Sequence, residues 1–381
     1  HISQAYGKKD YHLVNRGFFV ASVLSLIVGA MISIVGSLAI RDFLILMHTP
    51  GEILEQSLDY IKVILLGFVI TVLNNLFMSV LQSLGDSSTP FWALLVSSVT
   101  NIGLDCVFVL TLKWGVQGAA AATVLSQVFS FAICAAGLKR LKFVSILDGS
   151  KSKNARLTVR MLKTGLPVGI MSMVTAVGGM ILQFFVNDLG ASAVAAYAAS
   201  TKIRSVIGEF SNALGMTFMT FVGQNYGAQK YDRIKAGVRM GVLLSILIHI
   251  PLSAVEIFGG KRIASLMVTD PPVLELCRQY LLIVGIFVFF LGFLMVFRNC
   301  IQGMGNTWIP MLSGGLEVFS RLIFGYWLGR HSFMGIAAAE ASAWISVSIM
   351  LGSSFFILFR KVLRTQTPEN TTDTKNIRTD S

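Results

Sequence analysis

Ten long runs of apolar and small residues follow one another along this chain of 381 residues. The runs occupy residues 17–40, 63–84, 90–112, 115–138, 166–186, 194–222, 240–258, 280–301, 308–328 and 334–358. Because a helix needs about 20 consecutive apolar residues to cross a bilayer, this pattern predicts ten transmembrane helices. Only 13% of the residues are charged, compared with roughly 25% in ordinary soluble domains. We therefore expect an all-α polytopic membrane protein and exclude a soluble globule.

The sixth run is the most polar of the ten. It contains Lys202, Arg204 and Glu209, and each of these charges would cost several kcal/mol in hydrocarbon unless it is paired or faces a wet interior. We therefore expect this helix to lie inside a helical bundle.

Lysine and arginine residues are unevenly divided between the two sides of the predicted topology. One side holds 20 of the 31, the other holds 7, and the remainder fall within spans. The positive-inside rule then places both chain ends in the cytoplasm, in a multi-pass protein of the plasma (inner) membrane. The net charge of +12 comes from these loops rather than from one basic face. The expected partner is therefore the lipid bilayer and not nucleic acid.

The sequence repeats itself at an offset of 220 residues. Residues 4–17 recur in residues 224–237, and LQSLGDSSTP (81–90) recurs as IQGMGNTWIP (301–310). Six predicted spans separate the copies, so both cross the membrane in the same direction, which is a parallel repeat of the kind found in transporters. The second copy begins with two spans that lack counterparts before His1. We therefore expect an N-terminally truncated form of a twelve-helix, two-lobe parallel-repeat transporter.

This repeat predicts four segments. Residues 1–138 form an N-lobe with helices 3–6 of the twelve, and residues 139–164 form a basic cytoplasmic linker. Residues 165–360 form a C-lobe with helices 7–12. Residues 361–381 are polar, and a segment with so few apolar residues cannot bury enough surface to fold. We expect them to be a disordered cytoplasmic tail.

Several motifs resemble the multidrug and toxic compound extrusion (MATE) family. They are FVGQNYGAQKYDRIKAGVR (221–239), GLPVGIMSM from Gly165, NDLGASAVAAYAASTKIRS from Asn187, and SQAYGKKD from Ser3. The resemblance implies two six-helix lobes around a cavity that opens to each side in turn. It also implies efflux of small organic, often cationic, substrates in exchange for Na⁺ or H⁺. We expect a monomer without a cofactor.

Asp105 is the only aspartate well inside a predicted span, and Asn101 lies four residues earlier on the same helical face. A carboxylate and an amide oxygen suit a hard cation such as Na⁺, and the carboxylate can also bind a proton. The family resemblance implies that Asn75 and Thr123, from the preceding and following helices, complete this cation site. No metal other than Na⁺ is expected.

The C-lobe offers Glu317 and Arg321, which are four residues apart and can form an ion pair on one helix. At the offset of 220, Arg321 corresponds to Asn101, so its positive charge would repel a coupling cation there. The pair is either a structural bridge or part of the substrate cavity, to which Gln183 is a further candidate. The segment around Thr175 lacks the glutamate that some sodium-coupled members of the resembled family carry.

Enzymatic motifs such as HExxH, GxSxG and the P-loop do not occur in the sequence, so we expect neither an enzyme nor an ATP-driven pump. Two alternatives to drug efflux stay open. One is a lipid-linked oligosaccharide flippase of the same superfamily, for which the intramembrane cations are Lys202, Arg204, Arg298 and Arg321. The other is a truncated remnant that does not transport.

Overall fold

The computed structural model describes residues 1–46, 50–145 and 154–364, and every regular element in these ranges is a helix. The first helices are α1 (Ile2–Gly7), α2 (Tyr11–Leu46), α3 (Gly51–Ser83), α4 (Ser88–Asp105) and α5 (Gly115–Arg140). They are followed by α6 (Ala155–Asp188), α7 (Ala191–Gly227), α8 (Tyr231–Ala254), α9 (Gly260–Ala264), α10 (Pro271–Gly303), α11 (Trp308–Phe324) and α12 (Phe333–Arg364). The prediction of an all-α protein is confirmed for this part of the chain.

Three of these helices continue into wider, π-helical turns. The turns are Cys106–Thr111 after α4, Val255–Gly259 after α8, and Gly325–Gly329 after α11. A π-helical turn interrupts the regular hydrogen-bond ladder, and such turns are frequent at functional sites. Two of the residues that concern the sites below, Asp105 and Glu256, lie at or in these turns.

The chain divides into two compact units, His1–Leu162 and Lys163–Ser381. In the first unit, α3 packs against α2 and α5, and α4 packs against α5. In the second unit, α10 is central, because α7, α8 and α12 all pack against it. Half of the residues in the most apolar 18-residue stretch of α10 are buried, as expected for a helix surrounded by other helices.

Eight helical segments are long and apolar enough to cross a membrane. They are Tyr11–Leu46, Ile53–Ser83, Ser88–Thr111, Gly115–Arg140, Ala155–Asp188, Tyr231–Ala264, Pro271–Gly303 and Phe333–Arg364. The other two predicted spans are helical but are not among these eight: α7 carries Lys202, Arg204 and Glu209, and α11 carries Glu317 and Arg321. The predicted number of ten is thus confirmed for eight helices.

Helix ends differ from the predicted limits of the linker and the tail. Helix α5 runs to Arg140 and α6 begins at Ala155, so both ends of the segment 139–164 are helical. Helix α12 continues to Arg364, beyond the predicted start of the tail at residue 361. The middle of the linker, residues 146–153, and the tail from residue 365 lie outside the described residues.

Backbone geometry repeats at the offset of 220 residues. Gly85 and Gly305 both have positive φ, 93° and 90°, a conformation that glycine adopts without steric cost. Lys9 and Gln229, which are also 220 residues apart, have φ of 60° and 58°. The matched turns of the two sequence copies therefore share their local conformation.

Candidate functional site

Three of the four residues predicted to bind a cation line one cavity of about 310 Å³ in the first unit. Asn75 comes from α3, Asn101 from α4 and Thr123 from α5. The side-chain amide of Asn101 donates a hydrogen bond to the hydroxyl of Thr123, with 3.5 Å between Nδ2 and Oγ1. The hydroxyl of Thr123 in turn donates to the carbonyl of Ala119 at 3.0 Å. Helices α4 and α5 are thus joined by polar groups at this cavity.

Asp105, the fourth predicted residue, is not among the residues that line the cavity. It is the last residue of α4, and the π-helical turn begins immediately after it. Its Oδ1 atom is buried and has no hydrogen-bond partner in the structure. An unsatisfied buried carboxylate is costly, and a proton or a cation would remove that cost. Asp105 thus has one buried carboxylate oxygen to which no described residue donates a hydrogen bond.

Sequence reasoning missed several polar residues of this cavity. They are Asn74, Ser97, Ser98, Ser126, Gln127 and Ser130. A signal was present in the sequence, because Thr123, Ser126, Gln127 and Ser130 recur at helical spacing on one face of α5. Polar residues on one face of an otherwise apolar helix indicate a bundle interior or a wet cavity.

Unsatisfied oxygen atoms are concentrated at the same cavity. Asn74 Oδ1, Gln127 Oε1 and Ser130 Oγ are buried and lack hydrogen-bond partners. Oxygen atoms of amides and hydroxyls are typical ligands of hard cations. Among the described residues, no group of three His, Cys, Asp or Glu side chains could hold a metal ion. The polar lining of this cavity consists of neutral amide and hydroxyl groups.

In the second unit, the predicted pair of Glu317 and Arg321 is formed on α11. Arg321 Nη2 lies 2.9 Å from Glu317 Oε1, and Arg298 Nη2 of α10 lies 3.0 Å from Glu317 Oε2. These side chains are only 5–7% exposed. One carboxylate therefore binds two guanidinium groups in the interior of the unit.

The pair belongs to a larger group, because Arg321 Nη2 also lies 3.7 Å from Glu340 Oε1 of α12. Arg204 Nη1 of α7 lies 3.0 Å from the same oxygen. Tyr280 donates its hydroxyl to the other oxygen of Glu340. We call Arg204, Arg298, Glu317, Arg321 and Glu340 the charge cluster, and they come from four helices.

The contacts of Arg204 explain how the helix α7 can carry this charged side chain. Arg204 pairs with Glu340 and its guanidinium lies 5.9 Å from the centre of the Trp344 ring, at a distance typical of cation–π contacts. The prediction that a charge in this helix must be paired is confirmed for Arg204. Lys202 and Glu209 are instead exposed on the surface of the unit.

Small residues of α6 make room for the cluster. A Cβ atom at Gly178 would lie 2.8 Å from Arg321 Nη1, while a Cβ atom at Gly179 would have no neighbour within 4 Å. Arg321 Nη1 also donates to the backbone carbonyl of Thr175, at 3.4 Å. The segment around Thr175 has no carboxylate, and the guanidinium group of Arg321 lies against the backbone of α6 there.

Helix α8 carries a buried polar face that sequence reasoning did not single out. Its members are Ser245, His249 and Ser253, the face continues at Glu256 in the π-helical turn that follows, and all four residues are buried. His249 Nδ1 lies 2.6 Å from the carbonyl oxygen of Ser245, so this nitrogen carries the proton and donates. The other ring nitrogen, Nε2, lies 2.7 Å from the Ser211 hydroxyl and is hydrogen-bonded to it. Both ring nitrogens of this buried histidine are therefore hydrogen-bonded.

Glu256 is different, because it is 1% exposed and neither carboxylate oxygen has a hydrogen-bond partner in the structure. A signal in the sequence was its position seven residues after His249, on the same helical face. Glu256 lies inside the predicted span 240–258, where a carboxylate is a candidate for function.

Gln183 is the third residue that was predicted to face a substrate cavity. Its Nε2 atom donates to Asn187 Oδ1 at 2.8 Å, one turn later on α6. No hydrogen bond or ion pair that the structure describes joins Gln183 to the charge cluster.

Comparison with known proteins gives one consistent result. A family model described as MatE matches residues 1–107 and 167–327. The "Probable multidrug resistance protein YoeA" of Bacillus subtilis is 27% identical over 88% of this chain and 77% of its own length. The "Probable multidrug resistance protein NorM" of Thermotoga maritima is 23% identical over 94% of this chain and 78% of its own length.

Solved structures show the same fold. A crystal structure of MATE in the bent conformation matches with a TM-score of 0.88. It covers 96% of this chain and 82% of the other chain at 22% identity. The helical architecture is therefore shared with these proteins.

Proposed function

Because this chain belongs to the MatE family, we propose that it exports drugs or other small organic compounds across the membrane, as the names of its relatives describe for them. The chain is a multi-pass membrane protein. The observation that carries the proposal is the family match over well more than half of the sequence, together with a cavity of unsatisfied oxygens in the first unit.

Transport is driven in this proposal by exchange for Na⁺ or H⁺, without ATP and without a cofactor. The ion binds in the first unit, where Asp105 supplies the negative charge and Asn75, Asn101 and Thr123 supply neutral oxygens. The unsatisfied Oδ1 of Asp105 supports this assignment. The 3.5 Å contact of Asn101 with Thr123 supports it too, because it uses the amide nitrogen and not the amide oxygen.

Ion binding drives transport only if the ion binds one conformation more tightly than the other. A carboxylate buried without a partner makes the ion-free state unfavourable in a closed environment and tolerable in an open, wet one. Occupancy at Asp105 therefore biases alternating access between the two sides of the membrane, and a tenfold difference in ion affinity corresponds to about 1.4 kcal/mol of bias.

A second carboxyl group, Glu256, is the competing candidate for the ion. Both of its oxygens are buried and unsatisfied, which favours a bound proton. No described hydrogen bond brings an amide or hydroxyl oxygen to it, so it lacks the ligand set that Na⁺ needs. The first unit therefore remains the proposed site for a metal cation, and the two carboxyl groups are separable by mutation.

The charge cluster has a structural or substrate-facing role in the second unit. Its three arginines are each paired with Glu317 or Glu340, so they present little free positive charge to a ligand. A flippase for a pyrophosphate-linked lipid would need such free charge. Of the four intramembrane cations, Lys202 is exposed and no described ion pair engages it, and one lysine is a weak basis for that alternative.

We propose that ten helices of this chain cross the membrane: the eight apolar ones together with α7 and α11. The architecture that we propose for them is the two-lobe parallel repeat of twelve-helix transporters. Burial of Arg298, Glu317 and Arg321 and the pairing of Arg204 with Glu340 support this count, because they shield these charges from lipid. The bias of lysine and arginine supports an inner-membrane protein with a cytoplasmic C-terminus. We propose a monomer as the functional form.

The proposed function is tested by efflux from proteoliposomes that contain the purified protein. A fluorescent organic cation is loaded inside, and a Na⁺ or a H⁺ gradient is imposed separately. Efflux driven by at least one gradient, but not by ATP, is the expected result. The proposal fails if neither gradient drives efflux of any organic cation or neutral drug while the protein remains folded.

A further inference from the structure

A second cavity, of about 700 Å³, lies in the second unit between α8 and α12. Both helices pack against α10, and Phe297 of α10 lines the floor of the gap between them. Its lining is mostly apolar, and three phenylalanines of α12 contribute to it: Phe355, Phe356 and Phe359. None of the residues discussed above as ion or substrate sites lines this cavity.

The aromatic lining is built as a packed set of rings. Phe355 stacks on Phe359 with 5.6 Å between ring centres, and Phe297 lies 5.9 Å from Phe355. Phe355 and Phe359 are buried, whereas Phe356 is 57% exposed. The cavity therefore has a buried apolar interior at Phe355 and Phe359 and is open to the surface of the unit at Phe356.

Three cations line the same cavity. Lys235 and Arg239 lie near the beginning of α8, and Arg360 lies near the end of α12. All three are exposed, and no described ion pair or hydrogen bond engages them. No Asp or Glu lines the cavity. By contrast, Lys261 and Arg278 of the same unit both pair with Glu275.

The arrangement is polar at one end and apolar further in. Phe355 and Phe356 are about one turn further from the end of α12 than Arg360, so the cations mark the outer end of the cavity. The neighbouring sequence at this end is also basic, with Lys230, Arg233, Lys361 and Arg364. A ligand that fits must carry negative charge at one end and an apolar chain at the other.

We propose that this cavity is a binding site for an anionic phospholipid, with the phosphate held by Lys235, Arg239 and Arg360 and an acyl chain lying along the phenylalanines. Apolar packing alone would not select a ligand, because all membrane lipids have similar tails. Selection comes from the charge of the headgroup, and basic pockets between helices at the cytoplasmic surface are suited to it. Substrate cations are excluded by repulsion.

The test compares lipid retention by the purified protein in detergent micelles, measured by native mass spectrometry. Phosphatidylglycerol and phosphatidylcholine with identical chains are added in equal amounts. The wild-type protein is expected to retain phosphatidylglycerol roughly tenfold more often, a preference that corresponds to one or two effective headgroup contacts. Equal retention of both lipids would overturn the proposal.

Variants assign the preference to this cavity. The triple variant Lys235→Gln, Arg239→Gln, Arg360→Gln is expected to lose the preference for phosphatidylglycerol over phosphatidylcholine. The matched control Lys230→Gln, Arg233→Gln, Lys361→Gln removes three exposed cations on α8 and α12 or next to α8 that do not line the cavity. This control should keep the preference for phosphatidylglycerol. If both triple variants lose the preference equally, the basic surface as a whole attracts the lipid and the proposed site is wrong.

The apolar half is tested with Phe356→Ala, which removes an exposed ring without opening the core. It should weaken retention of phosphatidylglycerol several-fold while soluble glycerol phosphate continues to bind weakly and equally to both proteins. Unchanged retention would show that only the headgroup is bound and would contradict the proposed acyl-chain contact. None of these measurements depends on transport activity.

Discussion

The side-chain amide of Asn101 donates to the hydroxyl of Thr123 across α4 and α5, with 3.5 Å between Nδ2 and Oγ1. These two residues are 22 positions apart and lie on different helices, yet they line the same polar cavity. The contact leaves the amide oxygen of Asn101 uninvolved. Asn101 lies one helical turn before Asp105 on α4, so the polar cavity and this carboxylate share a helix.

Thr123 gives the first prediction, because its hydroxyl is offered as an ion ligand. Thr123→Val keeps the shape of the side chain and removes the oxygen. Loss of one polar contact of about 1.4 kcal/mol should raise the ion concentration for half-maximal efflux roughly tenfold. Thr123→Ser retains the hydroxyl and should stay close to wild type. The measurement is the efflux rate as a function of Na⁺ concentration or pH, and equal behaviour of both variants would exclude a ligand role.

Glu317 gives the second prediction, since it binds the guanidinium groups of both Arg298 and Arg321. Glu317→Gln leaves two buried positive charges without their main partner. Removal of one member of a buried ion pair typically costs about 3–5 kcal/mol, so the midpoint of thermal unfolding in detergent should fall markedly.

The control for this variant is Glu275→Gln, which breaks an exposed pair with Arg278. Exposed pairs contribute little, so its unfolding midpoint should be unchanged. If Glu317→Gln were equally harmless, the charge cluster would be hydrated and open rather than a buried bridge. That outcome would favour a substrate-facing role for Glu317 and Arg321 instead of a structural one.

Two adjacent glycines of α6 give the third prediction. A Cβ atom at Gly178 would lie 2.8 Å from Arg321 Nη1, whereas a Cβ atom at Gly179 would meet nothing within 4 Å. Gly178→Ala should therefore destabilise the protein by about 1–3 kcal/mol through overpacking. Gly179→Ala should be neutral or slightly stabilising, because alanine favours helix. The measurement is the midpoint of thermal unfolding of each variant. A lower midpoint for Gly179→Ala than for Gly178→Ala would mean that Arg321 does not lie against Gly178.

The helical architecture was accessible from sequence because it depends on local hydrophobic periodicity. Eight predicted spans are apolar enough on their own, while the charged residues of α7 and α11 have partners that composition cannot show. The need for a partner of Arg204 was predictable, since an unpaired charge is costly in a membrane. The identity of that partner, Glu340, was not, because 136 positions separate the two residues.

The candidate site was predictable to a similar degree. Asn101, Thr123 and Asn75 were named from spacing and family resemblance, and the structure brings them to one cavity. Asn74 and Gln127 were missed, because the family resemblance pointed only to Asn75 and Thr123, and the polar face of α5 that includes Gln127 was not recognised. Glu256 was missed because its isolation from hydrogen-bond donors is a property of the packed unit.

The most direct test of the account is ion-driven efflux by two matched carboxyl variants. Asp105→Asn and Glu256→Gln each replace a carboxyl group that has an unsatisfied buried oxygen, in the first and second unit respectively. Proteoliposomes with equal amounts of folded protein are given the gradient that drives the wild type. We predict that Asp105→Asn abolishes gradient-driven efflux and that Glu256→Gln retains it. Full activity of Asp105→Asn, with loss of activity in Glu256→Gln, would contradict the assignment of ion coupling to the first unit.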